Sequence, residues 1–217
     1  MSEPETLPRA TLLRTVERYY ADRLREFGTT ARGVDWNSAD SQVLRFERLL
    51  EALPAPSADD ASLTLIDLGC GYGALLDTLR GQGRAVQYRG YDISADMVAA
   101  ASQRHAADPA SAFSTDLAPF RPSDVVVASG VFNVRLGHPV DEWHDYVWDT
   151  IETMHEVSTR GFAFNMLSTY SDPERRRDAL YYADPCAVFD RCKRAFSPRV
   201  ALLHDYPLFE FTIIVRK

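Results

Sequence analysis

The stretch "LTLIDLGCGYGALL" spaces one carboxylate and three glycines as D-x-G-x-G-x-G, with Asp67 closing an apolar run and Gly69, Gly71 and Gly73 following it. Glycines at that spacing let the backbone turn sharply and let a ligand approach without a Cβ in the way. The spacing differs from the G-x-G-x-x-G of dinucleotide-binding enzymes. A second carboxylate, Asp92 in "YRGYDIS", lies nineteen residues after Gly73, where an acid can accept hydrogen bonds from both hydroxyls of a ribose. A third, Asp116 in "FSTDLAPF", can accept from an exocyclic adenine amino group. Three carboxylates at the ends of three neighbouring strands predict an adenosine site.

Those positions need a framework of strands and helices to hold them. From residue 63 onward the pattern alternates. Strand-like runs cover 63–68, 86–91, 112–115, 125–128, 162–167, 200–203 and 209–215, and helix-like runs lie at about 73–80, 94–105, 141–158 and 184–196. Alternation of this kind predicts an α/β, Rossmann-like doubly wound sheet with helices on both faces. The last two runs are joined only by "HDYPLF", too short for a crossover helix, so the final strand pairs antiparallel. Ahead of the sheet, Leu12, Leu13, Val16, Tyr19, Tyr20 and Leu24 recur at helical spacing, as do Val43, Leu44, Phe46, Leu49 and Leu50. Ser38 or Asp40 can cap the second of these helices. Residues 1–58 are therefore expected to form a helical cap or lid over a domain spanning 59–217, with Pro54, Pro56 and "SADDAS" as the joint.

Composition removes several classes of function. With a net charge of −7 and one dense basic run, Arg175-Arg176-Arg177 flanked by acids, the chain lacks a nucleic-acid surface. Three cysteines with no C-x-x-C spacing argue against a zinc site or a disulfide framework, and no metal is expected. The polar N-terminus "MSEPETLPRA" has no apolar leader core, and no run is long enough to cross a bilayer. A cytoplasmic protein with small-molecule partners only is expected, and the sequence carries no signal for oligomeric state.

Taken together, "IDLGCGYGALL", "GYDISADMVAAA" and "STDL" resemble the first three motifs of the class I S-adenosylmethionine-dependent methyltransferases, over about residues 60–217. That resemblance implies seven strands ordered 3-2-1-4-5-7-6 and S-adenosylmethionine as the cofactor. It implies that Gly69, Gly71 and Gly73 line the methionine part, that Asp92 holds the ribose, and that Ile93 and Met97 flank the adenine. Asp116 with Leu117 would read the adenine edge, and Asp67 and Ser129 complete the expected binding set.

The reaction is a separate question. Asn133 in "SGVFNVR" stands beyond the fourth strand, where many group-transfer enzymes place a base. "FNMLSTYSDPERRRDALYYADP" then supplies Ser168, Tyr170, Tyr181 and Tyr182, and Ser197 ends the last helix. "VDWNSADSQVLRF", "LYYADP" and "LLHDYPLFEFTIIVRK", together with those stretches, are similar to the azetidine-2-carboxylate synthases, which cyclise S-adenosylmethionine itself. By that resemblance Asn133, Tyr170 and Ser197 are the catalytic positions, directed at the α-amino group and the sulfonium. In such a cyclisation the α-amino nitrogen attacks its own Cγ and 5′-methylthioadenosine leaves as a neutral thioether. An α-amino group with a reference pKa of about 7.7–8.0 deprotonates readily, so acceptors that orient it suffice without a strong base. Methyl transfer to a small acceptor is the competing reading, and a non-catalytic S-adenosylmethionine-binding subunit is the third.

Overall fold

A computed structural model describes residues 7–217; the stretch read for a leader lies mostly outside them. The chain begins with α1 (Leu7–Phe27) and α2 (Ala39–Leu50), which Ser38 caps by accepting from the Ser41 amide at 3.2 Å. An alternating series follows: β1 (Thr64–Leu68), α3 (Ala74–Gly81), β2 (Gln87–Tyr91), α4 (Ala95–Arg104), β3 (Ser111–Ser114) and β4 (Ser123–Ala128). The second half comprises α5 (Val140–Val157), β5 (Ser158–Ser168), β6 (Tyr182–Ala183), α6 (Pro185–Ala195), β7 (Arg199–Leu203) and β8 (Glu210–Arg216).

The strands order as β3-β2-β1-β4-β5-β8-β7. The sheet is parallel except for β8, which runs antiparallel to both neighbours. This is the expected order with one addition. The two-residue β6 pairs with Leu167 and Ser168 of β5, beyond the point where β4 ends. A strand that short has no alternation to read in the sequence.

Side-chain alternation along the strands divides the interior into two cores. Ile66 of β1 and Val126 of β4 face a cluster built with Trp143, Val147, Ile151 and Met154 of α5. Leu65, Val125 and Val127 face the opposite cluster, with Leu75, Leu76 and Leu79 of α3. The N-terminal helices belong to these cores: α1 contributes Leu12 and Val16 to the first, and α2 contributes Phe46, Leu49 and Leu50 to the second. Burying such side chains contributes about 1.5–3 kcal/mol each, which fixes both helices against the sheet. The joint between α2 and β1 is fastened as well. Asp60 and Arg84, both buried, form an ion pair there, and Arg84 also donates to the Pro54 carbonyl at 3.1 Å.

Candidate active site

The carboxyl ends of β1, β2 and β4 open onto a cavity of about 190 Å³, roofed by α1, by the 31–36 turn and by α2. Asp67, Gly69 and Gly71 supply its β1 side, Asp92, Ile93 and Met97 its β2 side, and Leu117, Ser129 and Val131 the remaining strand ends. Eight of the thirteen residues expected from the sequence to form the site are thus on one wall. Gly69 permits a close approach there, because a Cβ on it would meet Val131 Cγ2 at 2.5 Å.

Two acids dominate the electrostatics. Asp92 is pushed up to about 6 by burial, against the hydrogen bonds its carboxylate accepts from the Ser94 amide (2.9 Å) and the Gly71 amide (2.8 Å). Burial likewise pushes Asp67 up to about 7, although the Tyr88 hydroxyl donates to it at 2.5 Å; the Asp92 charge adds to the rise. Both groups gain from a ligand that donates hydrogen bonds or carries positive charge. The Ser129 hydroxyl is buried on the same wall and has no hydrogen-bond partner among the described residues.

The remaining expected residues lie elsewhere. Gly73 caps α3 at φ +82° and is absent from the cavity wall. A Cβ there would meet the His105 ring at 2.9 Å, and its carbonyl accepts from His105 Nε2 at 3.0 Å, so this glycine makes room for a histidine. The exposed Asp116 accepts from the Ala118 amide at 2.9 Å and closes a turn; Leu117 beside it is the residue that reaches the cavity.

The three expected catalytic residues do not converge. Asn133 is buried; its side-chain oxygen accepts from the Leu167 amide at 3.2 Å and its carbonyl from the Tyr181 amide at 2.9 Å. It stitches two loops together. Tyr170 is 68% exposed and packs its ring 5.7 Å from that of His204, outside the cavity. Ser197 sits at the opposite edge of the sheet. It precedes the first residue of β7, and its hydroxyl donates to the Arg216 carbonyl at 2.5 Å, beside the start of β5. The helix α6 runs counter to the parallel strands, so its end falls at their amino edge.

Sequence reasoning missed the residues of the roof. Tyr20 of α1, Trp36 of the turn, Gln42 of α2 and Tyr146 of α5 all line the cavity, as does Tyr72 between the glycines. Trp36 lies against Gly130, which has φ +73° and where a Cβ would stand 2.4 Å from the indole. Behind the indole, the Arg45 guanidinium stacks at 4.0 Å from the ring centroid and is held by Glu210 through two 2.7 Å hydrogen bonds. On the sheet side, the Gly130 amide donates to Asn165 Oδ1 at 2.7 Å. Gln42 left the one usable signal, a polar residue on the same helix face as Phe46 and Leu49.

Residues 66–159 match the family model described as a methyltransferase domain. Over 161 residues, the chain is 50% identical to Rv1506c of Mycobacterium tuberculosis, a protein called a methyltransferase with no acceptor in its name; the match spans 74% of this chain and 96% of that one. The chain belongs to the class I S-adenosylmethionine-dependent methyltransferases. Solved structures agree with this methyltransferase in fold. DhpI, in a complex with SAM and HEP, superposes with a TM-score of 0.61 at 17% identity, covering 94% of this chain and 97% of its own. Magnesium protoporphyrin IX methyltransferase from Synechocystis PCC 6803 with bound SAM gives 0.50 at 17% identity, covering 100% and 86%. The cofactor of the family is S-adenosylmethionine, and the wall residues suit it. Asp92 offers a carboxylate to ribose hydroxyls, Ile93 and Leu117 offer apolar surface to a base, and the paired acids and aromatic rings suit a cation.

Proposed function

We propose that the protein transfers the methyl group of S-adenosylmethionine to a small-molecule acceptor. The observation that carries this reading is the cavity wall: it has the groups to hold the cofactor, whereas none of Asn133, Tyr170 and Ser197 lies on it. Ring closure of the cofactor on itself therefore lacks the three residues that the synthase resemblance implies for it. The 50% identical relative called a methyltransferase supports the same choice.

S-adenosylmethionine supplies an electrophilic methyl group on a sulfonium, and its departure leaves a neutral thioether. Asp92 orients the ribose through its ionised carboxylate, which two backbone amides hold in place. Tyr20, Trp36 and Tyr72 narrow the space above the glycine turn. An aromatic lining of this kind limits water around the reacting groups, which disfavours a competing nucleophile and strengthens each electrostatic contact. The roof of α1, α2 and the 31–36 turn over the cavity supports an acceptor of modest size.

Product analysis tests the reading. Incubated with S-adenosylmethionine alone, the purified protein leaves it intact; added small-molecule acceptors yield S-adenosylhomocysteine and a methylated product. Formation of 5′-methylthioadenosine with azetidine-2-carboxylate from the cofactor alone overturns methyl transfer in favour of cyclisation.

A further inference from the structure

Arg45 of α2 and Glu210, the first residue of β8, form an ion pair whose side chains are only 7% and 2% exposed. Every nitrogen of the guanidinium is engaged. Nε and Nη2 donate to the two Glu210 carboxylate oxygens at 2.7 Å each, and Nη1 donates to the Ser41 carbonyl at 2.7 Å. A buried pair of this kind is a weak source of stability, because desolvating two charges offsets most of their attraction. What it fixes is a plane. The guanidinium carbon lies 4.0 Å from the Trp36 ring centroid, and the six-membered edge of the indole seats on Gly130 beyond β4. The Gly130 amide in turn donates to Asn165 of β5, and Leu167 of β5 pairs with Glu210. These contacts close a ring over the β4–β5–β8 corner of the sheet, and Trp36 and Gly130 are its members on the cavity wall. At its other side the turn is tied to α1, where Asp35 accepts from the Tyr19 hydroxyl at 2.9 Å and from Arg23 at 2.8 Å.

From this geometry we infer that Arg45 and Glu210 are positioning residues for Trp36. The locked guanidinium is the platform that holds the indole closed over the β4 end of the cavity, and a bound ligand leaves when Trp36 leaves that platform. The inference rests on the reading of the cavity as the S-adenosylmethionine site. The role calls for an arginine and not for charge alone. A lysine ammonium can pair with Glu210, but it has no planar face on which an indole can lie. Because Asp35 restrains the other side of the turn, loosening the platform frees the indole without detaching α1.

Stopped-flow measurement of S-adenosylhomocysteine dissociation, with fluorine NMR of fluorotryptophan-labelled protein, tests the platform. Arg45→Lys is expected to speed dissociation on the order of tenfold, the equivalent of a desolvated cation–π contact. It is also expected to shift the Trp36 resonance, identified by its loss in Trp36→Phe, while those of Trp143 and Trp148 in the core stay in place. Glu210→Gln, which keeps the shape and removes the charge, is expected to give a smaller increase in the same direction. Trp36→Ala is expected to speed dissociation at least as much as Arg45→Lys. Adding Arg45→Lys to Trp36→Ala is then expected to change the rate by less than about twofold, because a positioning residue has no effect once the residue it positions is gone. Should Arg45→Lys not fold, Glu210→Gln on the same two backgrounds gives the same cycle. An unchanged dissociation rate in Arg45→Lys, or an increase of the same factor with and without Trp36, overturns the inference while the cofactor site stands. A wild-type protein that binds no S-adenosylhomocysteine overturns the cofactor reading and the platform with it.

Discussion

Lowering the pH from 8 to 5 will weaken the binding of S-adenosylhomocysteine, and the size of the effect follows from the two cavity acids. Asp92 is pushed up to about 6 because burial outweighs the amide hydrogen bonds from Ser94 and Gly71. Ribose hydroxyls donate to the ionised carboxylate, and protonation puts a competing donor in their place. With a value near 6, about one Asp92 in eleven remains ionised at pH 5, so the apparent affinity falls about tenfold relative to pH 8, or about 1.4 kcal/mol. Asp67, pushed up to about 7 chiefly by burial, lines the same cavity. If the ligand's ammonium draws on its charge as well, the loss at pH 5 grows toward about a thousandfold. The sign is fixed in both cases: the free protein holds protons that the complex must release, so affinity rises with pH and levels off above the higher value. Calorimetry in buffers of different ionisation enthalpy measures both the affinity and the protons released. An affinity that stays flat from pH 8 to 5, or tightens as the pH falls, refutes the assignment. So does an Asp92→Asn variant that keeps the full wild-type slope.

Three further substitutions probe the parts separately. Gly130→Ala strains a left-handed turn by roughly 1 kcal/mol and forces Trp36 out of its seat; the expected result is a folded protein with altered tryptophan fluorescence and weakened S-adenosylhomocysteine binding. Asp60→Ala leaves Arg84 buried without its partner at the joint below β1 and is expected to cost about 3–5 kcal/mol in urea denaturation, with cofactor affinity unchanged where the protein remains folded. Tyr170→Ala and Ser197→Ala, at sites off the cavity, are expected to leave S-adenosylhomocysteine affinity within about twofold of wild type, since neither side chain touches the proposed ligand. A loss beyond tenfold in either would return that residue to the site.

The sheet and the cofactor wall were legible because their signals are local. A glycine turn announces itself within a few residues of the strand it follows, and Asp92 and Ile93 close the next strand in a doubly wound order that hardly varies. The proposed chemistry was less legible, since it depends on where distant segments land. Ser197 lies just before the start of β7, which in a strand parallel to β5 means the amino edge, far from any ligand at the carboxyl ends. The sequence places Asn133 at a ligand, but its side-chain oxygen is taken up in accepting from the Leu167 backbone amide. Tyr170 faces outward because the chain after β5 packs it on His204, a contact between residues thirty-four apart. Trp36 and Gln42 gain their roles only when α2 docks on the sheet, a tertiary event that amphipathic periodicity cannot specify in detail.

A crystal structure with S-adenosylhomocysteine bound tests the central assignment most directly. The expected complex has the ribose hydroxyls within hydrogen-bonding distance of Asp92, the adenine between Ile93 and Leu117, and the amino-acid end under α2. A ligand seated instead against Tyr170 and His204, with the cavity beneath α1 and α2 empty, contradicts the account.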